Sequence, residues 1–200
     1  MPVTREFELK AAVDDVPLRR RAVEAAGARL VFEGALTDVR WDAPARTLIL
    51  RDHVLRLRTY RSATDTHAAL DWKGPTRYEG GFKVRDELTT TVGSPEALSA
   101  MLERLGYVVT REIERTIAQY DVAGASVRFE SYPRMDPLVE VEGTPHAIEA
   151  AIVVLGMPRS AFTTERLPDF VARFEARTGS FAALCQRELA GEHPWRVEDA

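Results

Sequence analysis

The sequence predicts an α+β fold in which about eight antiparallel strands form a closed or nearly closed barrel with a charged interior and flanking helices. Five segments far apart in the chain alternate charged and apolar residues, and each would place its charges on one face of a strand. One such segment alone is typical of an ordinary half-solvated strand. Nothing, however, requires the polar face of a sheet to be so rich in Arg, Lys and Glu, so we expect these faces to converge. The segments are residues 6–10, 55–58, 70–73, 82–87 and 139–142.

The composition limits the classes of function. With 200 residues, 45% hydrophobic and 29% charged, the chain can bury one ordinary core, which we assign to a single domain over residues 1–180. A C-terminal helix and a loose tail over residues 181–200 would follow. The net charge of −4 argues against a general nucleic-acid binder.

The cysteine, the histidines and the apolar runs exclude further classes. Cys185, the single cysteine, rules out an internal disulfide and a multi-cysteine zinc site, and we expect it to be a small core residue. The absence of a long apolar run and of a signal-peptide pattern predicts a cytoplasmic protein with no membrane partner. The four histidines lack metal-ligand spacing and are predicted to be surface or packed residues; they are His53, His67, His146 and His193.

In the first half of the chain, a strand over residues 3–13 gives way at Asp15 and Pro17 to a helix that ends at Gly27. Turn residues at 42–45 and at Gly74 and Pro75 then separate extended segments. Residues 76–81 are predicted to be a polar loop. The extended segments are residues 29–32, 36–42, 47–50, 54–60, 67–73 and 82–92.

In the second half, Ser94 and Thr144 each stand before a proline, a pattern typical of a helix N-terminus. The helices that follow would end at Gly106 and Gly156. We expect a loose tail from residue 191. The remaining predicted elements are strands at 107–122, 126–131 and 138–143, a loop at 132–137, and C-terminal helices at 167–178 and 181–190.

Several motifs, taken in order from Glu6 to Gly156, resemble the CYTH or triphosphate tunnel metalloenzyme superfamily. They are Glu-x-Glu-x-Lys at 6–10, Leu-Arg-Leu-Arg at 55–58, Lys-Gly-Pro at 73–75, Arg-x-Glu at 85–87, a strand arginine at 115 and a late Glu-x-Glu at 140–142. The resemblance implies an eight-stranded antiparallel tunnel in which basic residues hold a triphosphate and glutamates hold Mg²⁺ or Mn²⁺.

The resemblance also implies roles for individual residues. The triphosphate ligands would be Lys10, Arg56, Arg58, Lys73, Arg85 and Arg115. The metal ligands would be Glu6, Glu8, Glu140 and Glu142, with Glu87 and Glu130 as possible additional ligands. Lys10, Lys73 and Glu8 would be catalytic. Asp71 and Lys83 are predicted to point inward without an assigned role.

The physical chemistry of these residues agrees with the resemblance. So many charges would cost several kcal/mol per unpaired ion in a dry interior, so the interior must be wet and occupied. The N–H donors of a guanidinium group match the geometry of phosphate oxygens, and a lysine ammonium group supplies a positive point charge. Carboxylates would repel a polyanion unless they carried hard divalent cations, which prefer oxygen ligands.

Three functions remain open at this point. The Lys-Gly-Pro and Leu-Gly-Tyr segments look most like class IV adenylyl cyclases, which favours conversion of ATP to cyclic AMP and pyrophosphate. The alternatives are hydrolysis of tripolyphosphate, thiamine triphosphate or a nucleoside triphosphate, and non-catalytic binding of a nucleotide or polyphosphate. Arg40 stands where many members have a tyrosine associated with hydrolysis, and Thr89 stands where many have Glu. The sequence leaves a monomer and a homodimer equally open.

Overall fold

Residues 3–192 and 194–200 are described by the computed structural model. In that part of the chain the α-helices are α1 (Val16–Ala25), α2 (Pro95–Arg104), α3 (Pro145–Leu155), α4 (Leu167–Thr178) and α5 (Gln186–Leu189). The strands are β1 (Thr4–Ala12), β2 (Arg29–Asp42), β3 (Val54–Arg61), β4 (Thr66–Lys73), β5 (Arg77–Glu79), β6 (Phe82–Val92), β7 (Val108–Val122), β8 (Ala125–Ser131) and β9 (Leu138–Glu142).

Eight of these strands form a closed antiparallel barrel, which confirms the predicted fold class. The order around the barrel is β1-β9-β8-β7-β2-β3-β4-β6, and β6 pairs back with β1. On one side of β1, Glu8 lies opposite Lys83, and on the other side it lies opposite Glu142. Strand β5 is an additional three-residue strand on the edge of β6.

The main apolar core lies outside the barrel, between its wall and the helices. Leu9 and Val141 point outward from β1 and β9 and are fully buried beneath Val23 of α1 and Ile148 of α3. A second core packs α4 against Ile113 and Leu138, which share the inward strand faces of Arg115 and Glu140, so α4 covers one end of the bore. A third core packs α2 against Trp41 and Leu57. Since the apolar side chains of the first and third cores face outward to their helices, the charged side chains that alternate with them must face inward.

The predicted helix N-termini are confirmed by their caps. The Asp15 carboxylate accepts a hydrogen bond from the backbone N–H of Leu18 at 2.9 Å, and Ser94 accepts one from Ala97 at 3.2 Å. Thr144 caps α3 in the same way. Each helix has a proline in its first turn. Proline has no backbone N–H, but an N–H in the first turn has no partner within the helix, so no hydrogen bond is lost.

Two predicted segments adopt a different local structure. Residues 47–50 are not extended, because the Asp42 carboxylate accepts hydrogen bonds from the backbone of Leu48 and Ile49 and folds them into the turn that leads to the 3-10 helix Ile49–Arg51. The loop predicted at 76–81 contains β5, which pairs with β6. The segments predicted at 29–32 and 36–42 form one continuous strand, β2.

The C-terminal region differs most from the prediction. The helix predicted over 181–190 is wrong except for α5, because Ala183 exchanges backbone hydrogen bonds with Arg134 and is held extended. The end of the chain is not loose, since Asp199 and Ala200 are buried and Arg40 donates a hydrogen bond to the Asp199 carbonyl at 2.8 Å. Cys185 is buried, as predicted.

Three histidines are described and one is not. His53 accepts a hydrogen bond from the Trp72 indole, His67 bonds Asp65, and His146 is exposed in α3. His193 lies outside the described residues. Within the described ranges, no helix is both long enough and apolar enough to cross a membrane.

Candidate functional site

The barrel encloses a cavity of about 80 Å³ whose wall is strongly cationic. We call it the inner cavity. Ten cationic side chains line it against four carboxylates. The six predicted triphosphate ligands are all among them: Lys10, Arg56, Arg58, Lys73, Arg85 and Arg115. Sequence reasoning did not assign the other four a role there; they are Arg40, Lys83, Arg128 and Arg166.

Asp38 connects three of the arginines. Its carboxylate accepts hydrogen bonds from Arg58 at 2.7 and 2.9 Å, from Arg115 at 3.0 Å and from Arg56 at 3.4 Å. Burial raises the pKa of this carboxyl, but the three guanidinium groups outweigh it and hold the pKa well below its usual range. Asp38 therefore stays ionised and fixes the three forks side by side.

Glu130 on β8 and Glu140 on β9 bind further cations of the cavity wall. Glu130 accepts hydrogen bonds from Arg115 at 3.0 Å, Arg128 at 3.1 Å and the Tyr132 hydroxyl at 2.7 Å. Its pKa is lowered because these arginines and Lys10 outweigh the effect of burial. Glu140 forms ion pairs with Arg128 and, at 2.5 Å, with the Lys10 ammonium.

Two arginines of the cavity wall donate hydrogen bonds to backbone carbonyls, and the carboxylate that pairs with Arg85, that of Asp52, is 3.8 Å away. Arg85 donates to the backbone carbonyls of Gly74 at 2.7 Å and Asp52 at 2.6 Å. Arg40 bonds the Asp199 carbonyl, and its Nε is buried with no hydrogen-bond partner. Burial and the nearby Arg56 charge lower the pKa of Arg40 to about 9, so it is still protonated at neutral pH. Arg40 thus adds a positive charge to the cavity wall.

Three carboxylates meet on one side of the bore. One oxygen from each of Glu6, Glu8 and Glu142 lies within 4.8 Å of the others. We call these residues the acidic cluster. Each has a cationic neighbour: Lys73 donates to Glu6 at 3.0 Å, Lys83 to Glu8 at 2.6 Å and Arg128 to Glu142 at 3.3 Å.

Two carboxyl groups of the acidic cluster have pKa values shifted in opposite directions. Burial, followed by the charge of Glu6, raises the pKa of Glu142 to about 7. Burial also raises the pKa of Glu8, but Lys83, Lys73 and Lys10 together hold it at about 2. Closely spaced carboxylate oxygens are the ligands that a hard divalent cation prefers. Its charge would also stabilise the ionised form of Glu142, which burial and Glu6 disfavour. The acidic cluster therefore fits such an ion.

The structure groups three of the four predicted metal ligands. Glu140 lies outside the acidic cluster because Lys10 and Arg128 hold it. Of the possible additional ligands, Glu87 forms an ion pair with Lys73, and burial with its Glu6 neighbour raises its pKa to about 7. Glu130 is occupied by its arginines.

Several residues without a predicted role continue the same alternation. Lys83, predicted to point inward, lies two residues before Arg85 on β6. Arg128 lies two before Glu130 on β8, and Asp38 two before Arg40 on β2, so extending these charged faces by one residue would have found them. Arg166 precedes α4 and follows no strand pattern. Asp71, predicted to point inward, accepts a hydrogen bond from Arg56 at 2.7 Å.

No model of a known protein family matches the sequence, and no curated protein matches it. Solved structures with the same fold do match. A Vibrio parahaemolyticus protein with a suggested adenylate cyclase activity aligns with a TM-score of 0.73 at 18% identity, over 86% of this chain and 99% of that one.

Two further structures show the same likeness. A suggested adenylyl cyclase from Hippeastrum, in which triphosphatase activity is dominant, has a TM-score of 0.59 at 17% identity, over 90% of this chain and 98% of that one. The PH1819 protein of Pyrococcus horikoshii has a TM-score of 0.67 at 21% identity, over 80% of this chain and 94% of that one. At these identities the likeness concerns the fold, which is the tunnel fold that the resemblance to the CYTH superfamily implied.

Proposed function

We propose that this chain is a divalent-metal-dependent enzyme that acts on a triphosphate held inside the barrel. The observation that supports this most is the excess of cations over carboxylates in the wall of the inner cavity. Buried charge of one sign is costly unless it is compensated. A polyphosphate supplies that compensation and accepts hydrogen bonds from each guanidinium and ammonium group.

Each predicted phosphate ligand can have a distinct part. Arg56, Arg58 and Arg115 present guanidinium groups that are held next to one another by Asp38, which suits neighbouring phosphate oxygens. Arg85 donates its hydrogen bonds to backbone carbonyls and has only the long 3.8 Å ion pair with Asp52, so a phosphate would compete with a weak carboxylate contact there. Lys10 and Lys73 bear mobile point charges that can follow the phosphate charge as it redistributes during reaction.

The acidic cluster is the proposed metal site, with Glu6, Glu8 and Glu142 as ligands and Glu140 as a fourth that would have to leave Lys10. A bound Mg²⁺ or Mn²⁺ neutralises phosphate charge and helps to orient the reacting group. Glu8 would be the central ligand because it is ionised at neutral pH. It lies two residues after Glu6 on β1 and opposite Glu142 on β9.

The reaction we favour is that of a class IV adenylyl cyclase. The 3′-hydroxyl oxygen of ATP bonds to the α-phosphorus, the hydroxyl loses its proton, and the bond to pyrophosphate breaks. The cationic wall would stabilise the charge that accumulates on the departing pyrophosphate. The Lys-Gly-Pro segment at 73–75 and the suggested cyclase activity of the Vibrio protein support this reaction.

Hydrolysis of a triphosphate is the second candidate, because triphosphatase activity dominates in the Hippeastrum protein, which has the same fold. Water would then attack the terminal phosphorus. Arg40 in place of the family's tyrosine weighs against this reaction.

Product analysis separates the candidates. The purified protein is incubated with ATP, thiamine triphosphate or tripolyphosphate in Mg²⁺ or Mn²⁺. Cyclic AMP with pyrophosphate supports the cyclase, orthophosphate supports the triphosphatase, and binding without turnover supports a binding module. Glu8→Gln should abolish metal-dependent turnover and leave the fold intact, whereas Glu149→Gln on the exposed face of α3 should change neither. Undiminished turnover in Glu8→Gln would contradict the metal assignment.

A further inference from the structure

A group of aromatic rings lies at one mouth of the bore. Phe32, Tyr60 and His67 line a second cavity of about 410 Å³, which we call the mouth cavity. The ring centroids of Tyr60 and His67 are 4.7 Å apart with an interplanar angle of 17°, and Phe32 packs edge-on against Tyr60 at 5.2 Å. The His67 side chain is 52% exposed, so one side of this stack is open. We call these three residues the aromatic rim.

The fold places the rim on the same face as the charged wall. Tyr60 lies two residues after Arg58 on β3, His67 lies on the face of β4 that carries Asp71, and the two rings are opposite each other in the register. Phe32 belongs to the even-numbered face of β2 that carries Asp38 and Arg40 deeper in the bore.

A β-bulge helps to set the position of Phe32. The pairing of β2 with β7 shifts between Leu30 and Phe32, which leaves Val31 as the extra residue. Bulges at the rims of barrels commonly redirect a side chain beside a site. Because Val31 absorbs the shift, Phe32 keeps its place on the bore face at the start of the strand.

The rim is continuous with the proposed phosphate site. The mouth cavity and the inner cavity share four wall residues, which are Arg56, Arg58, Lys73 and Arg128. Arg58 donates a hydrogen bond to the Tyr60 hydroxyl at 3.4 Å, and its guanidinium carbon lies 5.8 Å from the centre of that ring. A molecule with its phosphates on these cations would extend its remaining part onto the rings.

We propose that the aromatic rim binds a planar heteroaromatic ring carried by the triphosphate substrate, and that the substrate is therefore an organic triphosphate such as a nucleoside triphosphate. This inference rests on the proposed function. Aromatic side chains stack on any base because every base has a π-face, and the mouth cavity has the size typical of small-molecule sites. Inorganic tripolyphosphate has no group that could use the rim.

The test compares two ligands that share the triphosphate and differ by the attached nucleoside. Binding is measured by calorimetry in Mg²⁺ with an ATP analogue and a tripolyphosphate analogue in which methylene groups replace both bridging oxygens, so that neither turns over. The variant is Phe32→Leu with His67→Ala, and the control is Tyr78→Leu, an exposed ring on β5 outside both cavities. Thermal unfolding verifies that the variants fold, and the exposed His67→Ala alone is used if the double variant does not.

We expect the double variant to bind the ATP analogue about tenfold or more weakly relative to the tripolyphosphate analogue, and the control to shift neither affinity. Equal losses for both ligands, or no loss, would overturn the inference while the phosphate site stands. If the wild-type protein binds no triphosphate, the proposed function fails and this inference fails with it.

Discussion

Replacing Asp38 with Asn tests whether the charged wall is held together by a single carboxylate. Asp38 is 1% exposed and is bonded to Arg56, Arg58 and Arg115. Removing its charge weakens the two hydrogen bonds from Arg58 and strengthens the repulsion among the three buried guanidinium groups, although Arg56 keeps Asp71 and Arg115 keeps Glu130. Removing one partner of a buried ion pair typically costs about 3–5 kcal/mol, and we expect a cost in this range for Asp38→Asn.

The effect should be visible in thermal unfolding. In a protein of this size, a loss of 1 kcal/mol lowers Tm by about 2–4 °C, so Asp38→Asn should lower it by roughly 6–20 °C. Tripolyphosphate should raise the Tm of the variant by more than it raises that of the wild type, because the anion replaces the missing negative charge. The assay is calorimetric or fluorescence-monitored unfolding with and without the ligand.

The matched control is Asp121→Asn, which removes a carboxylate from the exposed ion pair with Arg29. Exposed pairs contribute little to stability, so its Tm should change only slightly. The reasoning is refuted if Asp38→Asn unfolds at the same temperature as this control, or if tripolyphosphate stabilises the variant no more than the wild type.

Three further predictions follow from the site. Glu142→Gln should weaken Mn²⁺ binding about tenfold or more in calorimetric titration, because one charged ligand is lost. Arg40→Gln should lower tripolyphosphate affinity by a similar factor, since its Nε is buried without a partner and available to the ligand. The Tm difference between wild type and Asp38→Asn should stay constant from neutral pH down to about the ordinary pKa of 3.8 and shrink as pH falls further, because the pKa of folded Asp38 is held well below 3.8 and its stabilising ion pairs are lost as pH falls toward that pKa.

Each of these has a clear contrary result. Mn²⁺ affinity equal to that of Glu149→Gln would remove Glu142 from the metal site. Tripolyphosphate affinity in Arg40→Gln that matches the exposed variant Arg29→Gln would show that Arg40 does not reach the ligand. A Tm difference that stays constant as pH falls below 3.8 would show that the Asp38 charge does not stabilise the fold.

Much of the fold could be predicted because its signals are local. Alternation along each strand and the caps at Asp15, Ser94 and Thr144 depend on residues a few positions apart. The extended segment before α5 could not be predicted in this way, because it is set by the backbone of Arg134, a residue 49 positions earlier than Ala183. Three-residue β5 likewise exists only as an edge on β6.

The charged residues of the site could be predicted from the sequence, but the ion pairs that they form could be predicted only in part. The motif residues identified which strands face inward, and all six predicted phosphate ligands line one cavity. Whether Glu140 pairs with a cation or joins the acidic cluster depends on the register of β1 against β9, which a sequence pattern does not specify. The aromatic rim lay on the same alternating faces, but an uncharged ring carries no obvious signal of function.

The ion pairs between the acidic cluster and the cationic wall imply cooperativity between the two proposed ligands. Each carboxylate of the acidic cluster accepts a hydrogen bond from a cation that lines the inner cavity: Lys73, Lys83 or Arg128. Triphosphate binding would draw these cations away and leave three acids ready for a metal, and metal binding would release three cations in the same manner. Thermodynamic linkage then requires each ligand to raise the affinity of the other by an equal factor, so that the empty barrel would favour taking up both together over either alone.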